Sequence, residues 1–353
     1  MTHIFLAKYA LNKKYITPID IKNDTSTFMK WIKFKLFFRM NFRNEIKSFK
    51  GHSVLLSSEH CFESLSSFDE VLRLKKLFTG LSTEIKIIIY VREQTEKLCS
   101  LYSTRMKGGR TIKMLSKDEF SRVEGFDYNE KIKVWEDVFG IENIILRLYD
   151  KEKLYNNDIV DDFCKVLNIQ RCDSQVFLEN TTLNAKQCEF LRLVNIHVPS
   201  ICEYKVNSLR SEIEKMILVK NIESPPISDL ISSEYQRVYE KSNKELSKRY
   251  FGEYKELFRM KTLNAKPLVQ EDVLSKKDGQ DIANQIIKDN KDKNVPLCKC
   301  IAAIFDVEYK GKKIPMEYVH SLNMNKSDKY IFQKIRIRIK SFIKRNEKKI
   351  YRM

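Results

Sequence analysis

Residues Ile85–Tyr102 read IKIIIYVREQTEKLCSLY, and the reading of this stretch decides the fold. Ile85–Val91 is an almost unbroken apolar run rich in β-branched residues, the pattern of a strand buried on both faces of a parallel sheet. The run stops at Arg92, and Gln94, Thr95, Leu98, Leu101 and Tyr102 then recur at helical spacing. The spacing predicts a strand over 85–91 and a helix over 93–106, so Arg92 falls at the carboxyl end of a parallel strand. Open α/β sheets bind their ligands at that end. Ser100 lies eight residues beyond Arg92, inside the helix. An arginine fork and a hydroxyl can together hold one phosphate. The plainer reading gives Arg92 a structural ion pair and Ser100 an ordinary helical position, and the spacing alone leaves both open.

Working outward, Ile4–Leu6 with Tyr9–Leu11 reads as a short helix. Residues 26–49 form a basic amphipathic helix with Phe28, Trp31, Ile32, Leu36, Phe38, Phe42, Ile46 and Phe49 at its apolar positions. Such a helix either lies on a membrane or packs on a core with its lysines reaching out, and the core-facing reading is the commoner one. A strand over 53–58 and a helix over 66–79, ended by Gly80, lead into the strand at 85–91. Lys107–Arg110 is a basic, glycine-containing loop. A helix over 127–139, a strand over 143–148 and a helix over 157–167 continue the alternation, which implies βαβ units and a parallel sheet flanked by helices. From 185 to 262 the pattern is helical, interrupted near Pro225-Pro226. Residues 263–325 are polar and helix-rich with a breaker at Pro296. The expected organisation is an α/β domain over 1–262 and a basic, helix-rich extension over 263–353.

With 353 residues, 42% of them hydrophobic and 11% aromatic, the chain can bury a sizeable core. Its net charge of +18 favours anionic partners, although lysine is spread along the whole chain, as low-GC coding also produces. The tail 326–353 holds eleven basic and two acidic residues, half of that net charge, interleaved with Ile331, Phe332, Ile335, Ile337, Ile339, Phe342 and Ile343. It reads as a basic amphipathic helix that docks on the domain or lies on an anionic membrane. The eight cysteines are irregularly spaced, and only Cys298 and Cys300 are close; no His/Cys spacing suggests zinc. Reduced thiols in a cytosol are the simplest account. No signal peptide or bilayer-length apolar run is evident, so the expected location is cytoplasmic, with the tail allowing attachment to the inner face of the membrane.

The Arg-x7-Ser spacing followed by Leu-Tyr at a strand-to-helix junction resembles the 3′-phosphate-binding element of sulfotransferases that use 3′-phosphoadenosine-5′-phosphosulfate (PAPS). Bacterial members acting on carbohydrate or cell-surface acceptors are the nearest likeness. His52–Glu59 (HSVLLSSE) resembles the family's preceding strand with its Ser-Ser-Glu ending. Phe126–Tyr128, Trp135–Gly140 (WEDVFG) and Asn143–Leu148 resemble its next helix–strand unit. Asn180–Asn195 and Ser242–Phe258 resemble a later Asn-containing helix and the Ser-Asn…Arg-Tyr segment that closes the domain. Together these cover roughly residues 1–262. The resemblance implies a P-loop-kinase-like sulfotransferase fold with a helical second half. It implies PAPS as co-substrate without a metal, and a glycan or related hydroxyl as acceptor. Arg92 and Ser100 would hold the cofactor's 3′-phosphate, and Glu59, with His60 as runner-up, would be the general base.

Sulfuryl transfer needs a base for the acceptor hydroxyl, donors at the sulfuryl oxygens and a phosphate cradle. Glu59 also fits a helix-start carboxylate facing the helix dipole. The cradle departs from the family. None of the nine glycines precedes Gly51, and no G-x-x-x-x-G-K-[ST] loop occurs. Lys13-Lys14 would supply point charges but not the nest of backbone amides. The expectation is therefore a family fold without its first strand and 5′-phosphosulfate loop, through truncation, a start placed too late or degeneration, and without catalytic activity as written. Two other readings stay open. One is a nucleotide-dependent kinase of the same superfold, for which a Walker loop and a magnesium carboxylate are not evident. The other is a non-catalytic binder of anionic surfaces driven by the tail, which carries no recognised nucleic-acid motif.

Overall fold

The computed structural model describes residues 4–12, 28–49, 51, 53–171, 182–202, 205–260, 263 and 266–323. Helix α1 (Ile4–Ala10) and the long α2 (Phe28–Ser48) precede α3 (Glu59–Ser64) and α4 (Phe68–Phe78). Strand β1 (Ile87–Val91) runs into α5 (Gln94–Lys107). After α6 (Lys117–Ser121) come α7 (Tyr128–Phe139), β2 (Ile144–Leu148) and α8 (Ile159–Leu167). Then follow α9 (Ala185–His197), β3 (Ile201–Cys202), β4 (Lys205–Val206), α10 (Ser208–Leu218), α11 (Glu234–Arg237) and α12 (Glu240–Phe251). The described part closes with α13 (Lys276–Asn290), α14 (Val295–Ile304), β5 (Glu308–Tyr309), β6 (Lys312–Lys313) and α15 (Met316–Asn323).

The protein is mixed α/β and mostly helical. Its parallel element is the pair β1–β2, in register from Ile87 opposite Ile144 to Val91 opposite Leu148. The strand-to-helix alternation read around Arg92 is thus present, and the sheet has two strands among the described residues. The expected strand over 53–58 is not one: Ser53–Ser58 has no ladder partner among the described residues, and Val54 and Leu55 are exposed. A run of Val and Leu becomes a strand only where a neighbouring edge and an apolar face receive it. The segment 185–262 also departs from the all-helical expectation, because β3 and β4 pair antiparallel between α9 and α10. Pro296 starts a helix instead of breaking one. It sits in the first turn of α14, capped by Asn294, whose Oδ1 accepts from Leu297 N at 3.1 Å. The tail 326–353 and its expected membrane contact lie outside the described residues.

The chain divides into two compact units. Among the described residues, the first holds those within 1–102, 114–181 and 227–268. Its core joins Val71, Leu74 and Leu77 of α4, Ile89 and Val91 of β1, Ile132 and Trp135 of α7 and Leu146 of β2. Capping explains where the flanking helices begin. Ser67 and Glu70 form a capping box at α4, and the Asp127 carboxylate accepts from Glu130 N at 3.1 Å to start α7. Helix α8 is tied to the strand pair through the wholly buried Asp162. It accepts from Tyr90 Oη of β1 at 2.7 Å and from Arg147 Nε of β2 at 2.9 Å. Burial alone would raise the Asp162 pKa, but the bonds from Arg147, Tyr90 and Tyr155 N outweigh it and hold the carboxyl down to about 2.

Among the described residues, the second unit holds those within 103–113, 182–226 and 269–323. Leu191, Val194, Ile213, Ile217, Ile282, Ile286 and Ile301 are buried in it, and the Phe190 and Phe305 rings stack at 4.1 Å. The end of α5 is received here by the buried Arg210 and Asn195. Met106 O accepts from Arg210 Nη2 at 2.8 Å and from Asn195 Nδ2 at 3.0 Å. Lys107 O and Arg110 O accept from the same two side chains at 3.2 and 2.7 Å. Carbonyls that a helix end leaves unpaired thereby find donors.

Candidate functional site

The site is built where β1 stops. The carbonyl of Arg92 accepts from Tyr128 Oη at 2.8 Å, which ties the strand end to the start of α7. Glu93 is buried, and its carboxylate accepts from Glu96 N at 3.0 Å and from Thr95 Oγ1, capping α5 from within. The side-chain amides of Gln94 and Asn243 then bind each other at 2.8 and 3.1 Å. One residue earlier, Ser242 Oγ donates to Asp127 Oδ1 at 2.5 Å. The Ser242-Asn243 dipeptide thus locks α12 against the starts of both α5 and α7. In the same helix, Tyr250 Oη donates to Glu136 Oε1 at 2.7 Å and Arg249 Nε pairs with that oxygen at 3.0 Å.

Arg92 sits one residue past β1, as its spacing implies, and is half-buried. Its guanidinium has no hydrogen bond or ion pair among the described residues. Its charge is felt at the thiol of Cys99, the neighbour of Ser100; burial first, then Glu93, still push that thiol up to about 12. Ser100 is half-buried six residues into α5, about 9 Å of rise from the helix start. It shares a face with Glu96 and Lys97 one turn earlier, so that face is mixed in charge. Glu59 and His60 open α3, where Glu59 Oε1 lies 3.7 Å from His60 Nε2. The Glu59 side chain is 83% exposed, so no buried shell orients it. No hydrogen bond joins these two to Arg92 or Ser100, or Arg92 to Ser100, among the described residues.

A different set of residues connects the helices that carry them. Glu63 lies one turn after Glu59 on the same face of α3, and its Oε1 pairs with Lys97 Nζ of α5 at 2.9 Å. Lys97 also donates to Gly125 O at 3.1 Å and lies over the rings of Phe126 and Tyr128 at 5.0 and 5.4 Å. Lys131 of α7 is buried and donates to Glu63 O at 3.1 Å; burial lowers its pKa, with Glu63 opposing that and Lys97 adding to it. Lys97 and Lys131 thus meet at Glu63, and Lys97 lies over the ring of the same Tyr128 whose hydroxyl donates to the Arg92 carbonyl. Sequence reasoning missed Lys97, Lys131, Glu63 and Glu93. Lys97 alone had a signal, its place one turn before Ser100 on the α5 face. The buried Lys131 and the exposed Glu63 had none, because their contacts lie with distant helices, and Glu93 was not singled out as a cap.

No known protein family matches the chain, and no solved structure matches it. Over 206 residues it is 23% identical to an uncharacterized protein of Archaeoglobus fulgidus, a stretch covering 56% of this chain and 54% of that protein. The chain spans about half the length of the curated relative it matches.

A cavity of about 420 Å³ lies elsewhere in the first unit, between Phe38, Phe42 and Ile46 of α2 and the segment Ser53–Leu56. Its lining is apolar except for Glu45 and Ser53, which does not suit a phosphate. Among the described residues no group of three or more His, Cys, Asp or Glu side chains comes together as a metal site.

Proposed function

We propose that the β1–α5 junction binds the 3′-phosphate of a PAPS-type nucleotide, in a sulfotransferase-like protein whose acceptor is a hydroxyl of a glycan. One observation carries the reading: an arginine whose guanidinium has no partner among the described residues stands at the carboxyl end of a parallel strand, directly before a helix start. A phosphate there would meet a cation whose donors are unspent, with Ser100 further along the helix as a second donor. The Ser242-Asn243 pair supports the reading, because the segment likened to the family's closing motif packs against this helix start. Glu59, with His60 as its alternate, remains the proposed base. The sequence holds no Gly-rich Lys-Ser/Thr loop for the 5′-phosphosulfate, so nucleotide binding is the part of the proposal to test first.

Calorimetric titration with 3′-phosphoadenosine-5′-phosphate tests it. Arg92→Ala removes a charge-assisted contact and should weaken binding by about 1.5–3 kcal/mol, roughly 10- to 150-fold. Ser100→Ala should weaken it by less. Equal affinity in wild type and Arg92→Ala, or no binding by wild type, removes the assignment.

A further inference from the structure

Helix α2 is apolar on two opposite sides. Its inner face is seated: Trp31, Phe38 and Phe42 are buried, and the rings of Trp31, Phe34, Phe38 and Phe42 stack in sequence at 5.7, 5.8 and 5.7 Å. Arg43 fixes its rotation, donating to Leu77 O and Thr79 O at 2.9 Å each. At 100° per residue, Met29, Lys33, Leu36, Met40 and Lys47 lie within about 40° of one line on the outer side. Met29, Leu36, Phe37 and Met40 are 61, 65, 64 and 56% exposed. The seated aromatic ladder prevents the helix from turning these residues inward.

The charge on that face is one-sided. Lys30, Lys33, Arg39 and Lys47 are exposed around the apolar stripe, and Lys33, Arg39 and Lys47 have no ion-pair partner among the described residues. The helix's one acidic residue, Glu45, points to the opposite side and lines the cavity there. We propose that the outer face of α2 docks the protein, lying flat, on an anionic lipid surface. Apolar side chains at the centre would enter the acyl boundary while the flanking cations reach the headgroups. A second copy fits less well, since a two-fold contact would bring the same unpaired cations together. Nucleic acid would meet the cations but leave Leu36, Phe37 and Met40 without a partner. No described helix is long and apolar enough to cross a membrane, so the contact is interfacial. The inference is independent of the nucleotide reading.

Co-sedimentation of the full chain with vesicles tests it, comparing phosphatidylcholine alone with a mixture rich in phosphatidylglycerol. Wild type should bind the anionic vesicles, release in high salt and leave neutral vesicles unbound. Phe37→Glu and Leu36→Glu should each lower the partition at least about tenfold, and Lys33→Gln about fivefold. These positions are exposed, so the thermal transition of each variant should match wild type. Absence of anionic-vesicle binding, or binding untouched by Phe37→Glu and Leu36→Glu, overturns the proposal. So does a wild type that is dimeric without lipid and made monomeric by Phe37→Glu, which would assign the face to a second copy.

Discussion

Gln94 and Asn243, 149 residues apart, exchange hydrogen bonds between their buried side-chain amides at 2.8 and 3.1 Å. Each amide satisfies the other inside the protein, so each is costly to leave alone. Asn243→Leu should destabilise the fold by about 1–3 kcal/mol, because the Gln94 amide stays buried with its main partner gone. Leu at both positions should cost less than the two single changes summed, with a coupling of about 0.5–3 kcal/mol. Urea unfolding of the four proteins measures this, and strictly additive losses would refute the pairing.

Asp162 should shape the acid limb of stability. Its carboxyl lies at about 2 in the fold, against an ordinary 3.8, because the bonds from Arg147, Tyr90 and Tyr155 N outweigh burial. Between those values the unfolded chain binds the proton and the folded chain does not, so stability falls as pH falls through them. The contribution is about 2 kcal/mol, complete above pH ~4 and lost on approaching pH ~2. Asp162→Asn should lower the plateau near neutral pH and flatten this limb. Guanidinium melts at stepped pH check it; an unchanged slope below pH ~4 would show that other carboxylates control acid unfolding.

Arg210 is 1% exposed and spends its donors on Met106 O, Lys107 O and Asn195. Arg210→Met should cost at least about 3 kcal/mol, because buried carbonyls at the end of α5 lose donors. Glu214→Gln removes only the partly exposed ion pair at 3.2 Å and should stay within about 1 kcal/mol. Thermal denaturation separates the two. Equal losses would mean that the ion pair, not the helix end, sets the importance of Arg210.

The proposed base is tested in a chain carrying the missing 5′-phosphosulfate loop, with PAPS as donor, because the donor is otherwise not held. Glu59→Gln should lower turnover by about 10²- to 10⁴-fold while leaving the affinity for 3′-phosphoadenosine-5′-phosphate unchanged. A dead His60→Ala with an active Glu59→Gln would exchange their roles. Turnover intact in both variants would leave Glu59 as a helix-start carboxylate.

Much of the first unit was legible because its signals are local. The apolar run at Ile87–Val91 and the helical periods around it are read within a few residues. The expected strand at 53–58 failed for the opposite reason: its composition suits a strand, but pairing needs an edge that composition does not reveal. Arg92 and Ser100 were placed by spacing along the chain. Glu63 and Lys131, which meet Lys97 through contacts across α3, α5 and α7, were not legible.

By itself, then, the sequence determined the positions of β1 and β2, the starts of the helices beside them and the place of Arg92 at a strand end. These follow from side-chain period, which acts over one or two turns. Only the tertiary structure decided that Asn243 pairs with Gln94, that Asp162 joins α8 to both strands and that α2 keeps one apolar face outside. Each of these depends on which distant surface meets which, and burial, unlike period, is a property of that meeting.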